Sequence, residues 1–271
     1  MERLKAIHDE LLQAVAREQH RFPGQELTTF FPIQGWESTG ELMVVGRAPN
    51  GWSEKGWTAS EASDAVRRAE IIREVVATST RADCCPMDWV REMWSHGIRG
   101  KWEARRSAFF RLSRAVSESL LGPSDKWPSR LIFSNLYKVA PHSGYNPGSR
   151  LCAAQQQACE AHLIAEIEMW KPKRILFVTG WDWARPFVER FGETIGEQST
   201  EYVEWTGIAK HLCVSHEIRL VVSVRPEARQ QVPLTDAILR SFSIPIPEDF
   251  QSIPSCSNSV GTTPSSGKPS P

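Results

Sequence analysis

Four short apolar segments, set far apart in a chain of 271 residues, constrain the fold most. They are Glu-Leu-Met-Val-Val-Gly at 41–46, Arg-Leu-Ile-Phe-Ser-Asn at 130–135, Arg-Ile-Leu-Phe-Val-Thr-Gly at 174–180 and Ile-Arg-Leu-Val-Val-Ser-Val at 218–224. A strand with one wet face alternates apolar and polar residues. These segments run apolar without alternation, as strands covered on both faces of a parallel sheet do. Helical periodicity fills the intervals. Leu4, Ile7, Leu11, Leu12 and Val15 make one stripe in 2–19, and Cys152, Cys159, Leu163, Ile167 and Trp170 make another in 150–170. Residues 105–121 and 183–191 also read as helices. Strands alternating with helices predict an α/β fold, a three-layer α/β/α sandwich around a central, mainly parallel four-stranded sheet. The interval 51–129 is long for one crossover and predicts an inserted helical region. Residues 1–249 are expected to form one domain. From 250 to 271 the chain is rich in Ser and Pro and nearly devoid of apolar residues, which predicts a disordered tail.

Sheets of this kind gather ligands beyond the carboxyl ends of their strands. The chemistry is therefore expected at 47–52, 135–141, 180–182 and 225–229. The first of these reads Arg47-Ala48-Pro49-Asn50-Gly51-Trp52, a tight turn whose small and rigid residues let backbone approach a ligand. The second starts at Asn135, whose amide offers both a donor and an acceptor and matches the edge of a nucleobase. An isolated Asn also caps turns, so the residue type alone leaves both roles open. The six cysteines include no Cys-x-x-Cys pair, which predicts reduced thiols in a cytoplasmic protein and no metal centre. No apolar run has membrane-spanning length, so no membrane association is expected. The 32 basic and 32 acidic side chains cancel, which argues against indiscriminate coating of nucleic acid and leaves a local basic face open.

The order of motifs carries a resemblance. Gly46-x-Ala48-Pro49 after the first strand is similar to the first motif of the family 4 and family 5 uracil-DNA glycosylases. Asn135-x-x-Lys138-x-x-Pro141, then Pro147, a helix with Cys159, Leu163 and Glu166, then Pro172 before a strand ending in Gly180, resembles the central segment of the same families. The likeness spans 41–229. It implies that Asn135 reads the base and that DNA is the partner. The departures are informative. Only Cys159 stands where those families place iron–sulfur ligands, and one thiolate cannot hold a cluster that needs four, so no iron–sulfur cluster and no other cofactor is expected. The acidic residue of the family 4 first motif is Arg47 here, and the histidine after the last strand is Arg225. An arginine can donate to an anionic leaving base or a phosphate, but it cannot shuttle a proton.

The resemblance therefore implies a monofunctional DNA glycosylase. It would flip a nucleotide and hydrolyse the N-glycosidic bond, leaving an abasic site. The expected catalytic residues are Asn50, Asn135 and Arg225, with Arg47, Ala48, Asn135 and Trp52 against the base. Glu54 and Asp64 are further candidates for holding the attacking water, and His142 either replaces the lost histidine or is a plain loop residue. DNA contact is expected from Lys138, Arg105, Arg106 and Arg229. Around them Arg99, Lys101 and Arg111 interleave with Trp102, Phe109 and Phe110 as either a nucleic-acid face or an amphipathic helix. The resemblance also implies that the loop after Pro226, with Arg229, Gln230, Gln231 and Leu234, enters the duplex as a wedge, while Trp52 and Trp57 are either pocket wall or core. The altered motifs favour a damaged or bulky modified base, such as a modified cytosine of phage DNA attacked in antiviral defence. The alternatives are a uracil-specific repair enzyme and a catalytically silent nucleic-acid-binding protein. A monomer is expected. No hydrolase or phosphate-binding signature is present to support an enzyme acting on free nucleotides.

Overall fold

The computed structural model describes residues 1–50, 52, 55–81, 83–94, 103–195, 200–210, 212 and 216–245. The strands are β1 (Glu26–Thr29), β2 (Ile33–Gln34), β3 (Met43–Gly46), β4 (Trp57–Thr58), β5 (Ile132–Asn135), β6 (Val139–Pro141), β7 (Arg174–Phe177), β8 (Gly192–Thr194), β9 (Val203–Ala209) and β10 (Arg219–Ser223). The α-helices are α1 (Glu2–Arg17), α2 (Ala65–Ser79), α3 (Asp88–Glu92), α4 (Ala108–Leu121), α5 (Ser149–Trp170), α6 (Trp181–Val188) and α7 (Gln231–Phe242). The predicted tail lies outside the described residues.

The four apolar segments become β3, β5, β7 and β10. They pair in parallel in the order β5-β3-β7-β10. The sheet they form is mixed and has seven strands, not four. β2 adds antiparallel to β5 at one side, and β9 then β8 add antiparallel beyond β10 at the other. None of the three carries an apolar run. β2 has two residues, β8 is half-exposed along its length, and β9 interrupts its apolar residues with Glu204, Thr206 and Gly207. A second, three-stranded sheet, β4-β1-β6, takes in 139–141, just beyond the carboxyl end of β5.

Successive residues of the parallel strands point to opposite faces, and each face has its own core. Met43, Val45, Ile175, Phe177, Leu220 and Val222 pack with residues of α1, α5 and α6. Val44, Leu176 and Val221 pack with residues of α3, α4 and α7. Helices therefore cover both faces. Within 51–129 lie β4, α2, α3 and α4, and α4 belongs to the sandwich itself, since Leu112 and Val116 are fully buried in the second core. Ser107 caps its start by accepting from the Phe110 N–H, and Gly122, at φ +83°, ends it. That fixes the entry of α4 beside the carboxyl ends of β3 and β5.

Candidate functional site

The carboxyl ends of the parallel strands stand in a row about 5 Å apart. In order they present Asn135, then Gly46 and Arg47, then Thr179 and Gly180, then Arg225. Asn135 is the register partner of Gly46. Beyond that pair the Leu136 N–H donates to the Gly46 carbonyl at 2.8 Å and the Tyr137 N–H to the Arg47 carbonyl at 2.9 Å, so the two motifs are fastened together. A Cβ on residue 46 would stand 2.6 Å from Asn135 Oδ1 and 3.4 Å from Phe109 Cε2. Glycine there leaves the space that the Asn135 amide occupies, and Phe109, from the first turn of α4, forms the wall beside it. The amide is half-buried, and no hydrogen bond to it exists among the described residues.

Directly beneath Asn135 runs a fully buried polar chain. Lys138 Nζ lies 2.6 Å from each of Ser134 Oγ, the Asn135 carbonyl and Glu166 Oε1. Ser134 Oγ donates to Glu166 Oε2 at 2.5 Å. His162 Nδ1 is 2.6 Å from Glu166 Oε1 and, facing a carboxylate, carries the proton. Its Nε2 then accepts from His8 Nδ1 at 3.4 Å, and His8 Nε2 meets the Thr29 hydroxyl at 3.0 Å. Burial opposes the charge on Glu166, but Lys138 and then His162 outweigh it and hold the carboxyl below its usual pKa. Burial pushes His8 well below the ordinary histidine range, aided by His162 and Lys138. Burial likewise lowers His162 against the opposing pull of Glu166.

Both histidines are therefore neutral in the folded protein and gain a proton on unfolding in mild acid. The unfolded state binds more protons below about pH 6.5, so stability is present above that pH and is lost as pH falls through it. Each histidine contributes up to about 1.4 kcal/mol per pH unit below that point, until its own lowered folded-state value is reached. Urea midpoints measured from pH 7.5 to 5.0 are expected to fall from about pH 6.5. A flat profile down to the carboxylate range would contradict neutral burial of the pair.

Arg47 turns away from Asn135. Its Nε donates to the Thr179 carbonyl at 2.6 Å, and its guanidinium lies 4.9 Å over the Trp183 ring. Burial, then the nearby Arg225, lowers its pKa, while Glu227, Glu204 and Asp182 oppose. Gly180, at φ +78°, lies where an added Cβ would meet Arg47 Nη2 at 3.3 Å and Glu204 Oε2 at 3.4 Å. Glu204 accepts the first N–H of α6, from Trp181, at 2.5 Å. Arg225 is exposed and pairs with Glu227 at 3.3 Å. Glu204 belongs to the unpredicted β9 and was invisible in the motif order.

Of the other candidates, Ala48 is half-buried against the first core. Asn50 is exposed, with Oδ1 2.8 Å from where a Cβ on Gly144 would stand. Trp52 meets Phe30 and Trp89 edge-on, at 4.8 and 6.0 Å, and so joins the aromatic packing around α4. Trp57 is core, 3% exposed. Asp64 accepts the Arg67 N–H as the cap of α2, which occupies it structurally. His142 is half-buried, with Nδ1 enclosed and without a partner among the described residues. Two expectations are corrected. Lys138 cannot touch DNA, because it is 0% exposed and committed to Glu166. Leu234 cannot be a wedge, because it lies in α7 and is 1% exposed. The exposed apolar residue of that turn is Val232. Glu54, Arg99, Lys101 and Trp102 lie outside the described residues.

Arg105 and Arg106 are exposed beside Glu103, and Arg111 donates to both their carbonyls at 3.0 and 2.9 Å. Arg229 shares a shallow cleft with Arg111, Ala108 and Gln231. A basic rim thus gathers at the start of α4, next to Phe109. Cys159 is fully buried and its thiol is pushed by burial up to about 12, so it is a thiol and not a thiolate. Among the described residues no group of three His, Cys, Asp or Glu side chains is placed to hold a metal, and no helix is long and apolar enough to cross a membrane. No family model and no curated protein matches the chain.

Proposed function

We propose that the protein is a DNA glycosylase that holds an extruded base on the Asn135 amide and hydrolyses its N-glycosidic bond. The observation that carries this reading is the Asn135 side chain itself. It is a donor–acceptor pair without a partner among the described residues, at the tip of a central parallel strand, over bare glycine backbone and beside an aromatic ring. Asn135 is only half-buried, so both ends of its amide stay open to the edge of a ligand. The motif order around Asn135, which resembles the uracil-DNA glycosylases, supports the same reading. The Arg47 and Arg225 departures favour a damaged or modified base over plain uracil. Neither side chain can carry a proton to the leaving base, so in this reading fixed positive charge meets the charge that gathers on the departing base.

The test is abasic-site formation in duplexes containing uracil, hypoxanthine, hydroxymethylcytosine or glucosylated hydroxymethylcytosine. Release from a modified-base duplex is expected. Release from uracil alone would overturn the substrate assignment, and no release from any duplex would overturn the activity. Gly46→Ala on the active substrate is expected to lose about 100-fold in rate, since its Cβ displaces the Asn135 amide. An unchanged rate would dissociate Gly46 from the pocket.

The basic rim would grip the phosphates flanking the base. Replacing Arg105, Arg106 and Arg229 together by alanine is expected to weaken binding to all duplexes alike. The slope of log K against log salt should fall by about one for each lost phosphate contact. Fluorescence anisotropy between 50 and 200 mM salt, a span suited to such contacts, reads this directly. An unchanged slope would remove these arginines from the interface.

A further inference from the structure

The Asn135 carbonyl is one of the three groups that Lys138 holds. An ammonium has three N–H bonds, and those of Lys138 go to Ser134 Oγ, the Asn135 carbonyl and Glu166 Oε1, each at 2.6 Å. Two of these acceptors belong to the tip of β5, and the third belongs to α5. The tip is thus tied to the long helix behind it by an ion pair with no access to water. Gln155, also on α5, holds the next segment. Its Oε1 accepts the N–H groups of Lys138 and Val139, and its Nε2 donates to the Val139 carbonyl at 2.8 Å. Leu136 and Tyr137 are already held by β3 and the turn after it. The backbone around Asn135 is committed on every side, while its amide has no partner among the described residues.

A buried ion pair is a costly way to fill space, and an apolar pair of similar volume commonly gives equal or greater stability. An apolar pair cannot hold a carbonyl. We propose that Lys138 and Glu166 are positioning residues, which fix the Asn135 carbonyl and so aim the Asn135 amide at the base. This rests on the base-reading role of Asn135. Glu166 keeps Lys138 charged and orients it, and His162 in turn orients Glu166. The arrangement follows the general rule that a site is precise when the groups supporting its contact residues are themselves locked.

The test is Lys138→Met/Glu166→Gln. It leaves no unpaired charge, keeps an acceptor for His162 and a partner for Ser134, and removes the bond to the Asn135 carbonyl. The double variant is expected to unfold cooperatively near the wild-type midpoint and to bind unmodified duplex within about threefold of wild type, since no phosphate contact changes. Its rate of base release at saturating enzyme is expected to fall about 100-fold. Ser134→Ala keeps both charges, removes one acceptor of the three, and is expected to lose about tenfold. Wild-type release by the folded double variant overturns the proposal, and if that variant does not fold, wild-type release by Ser134→Ala overturns it instead. Should the wild-type protein release no base from any duplex, it is the glycosylase reading that fails. The tether is then decided by the side-chain amide resonances of Asn135 in 15N-labelled protein. They are expected to shift and broaden in whichever of these variants folds, and unchanged resonances overturn the proposal.

Discussion

Asn135→Ala is expected to slow base release about 100- to 1000-fold while leaving the unfolding transition in place. The magnitude is that of losing one preorganised donor against charge that develops in the transition state. The neutrality toward folding follows from the structure. The amide is half-buried and has no partner among the described residues, so truncation orphans nothing there, and a change of about 0.5 kcal/mol or less is expected. Asn135→Asp sharpens the test. The carboxylate keeps the shape and the acceptors but loses the donors, and it sets a negative charge where a departing base gathers its own. It should release base no faster than the alanine variant. Single-turnover rates on the active duplex, paired with thermal midpoints, decide the matter. A wild-type rate in either variant would remove Asn135 from the reaction.

The sequence made the centre of the sheet legible and its margins illegible, for a physical reason. β3, β5, β7 and β10 are buried on both faces, and uninterrupted apolar runs announce that condition. β9 is nearly as buried, yet it places Glu204 at the cap of α6 and Thr206 within the sheet, so its run is broken. β2 and β8 are too short to leave a pattern. At the candidate site, the place of Asn135 at the carboxyl edge of the sheet was legible because the four apolar runs mark where the parallel strands end. Lys138 was misread because lysine is almost never fully buried unless paired, and its partner Glu166 lies a helix away in sequence. Nothing local in Asn135-Leu136-Tyr137-Lys138 tells a phosphate-gripping ammonium from one turned inward. The nearness of Phe109 to Gly46 is also a product of tertiary packing, since α4 must dock before its first turn can reach β3.

The largest effect on stability is expected from Lys138→Ala. It leaves the Glu166 carboxylate at 0% exposure without the charge that chiefly offsets its burial. Breaking a buried pair from one side costs about 3–5 kcal/mol, a large part of the roughly 5–15 kcal/mol that holds an ordinary domain. The penalty has a pH signature that simple loss of packing lacks. In the wild-type protein the Glu166 pKa is depressed, so its contribution is present above the unfolded carboxylate value and is lost below it. In the variant burial acts unopposed by Lys138 and raises that pKa, so the folded state holds a proton that the unfolded state has released. Stability then declines as pH rises through the interval between the two values. The deficit relative to wild type should therefore be larger at pH 7.5 than at pH 5.5, and adding Glu166→Gln should recover much of it at the higher pH. Urea unfolding of the single and double variants at both pH values reads the difference. An equal deficit at the two pH values would mean that the lost side-chain volume, and not the stranded carboxylate, is what destabilises the variant.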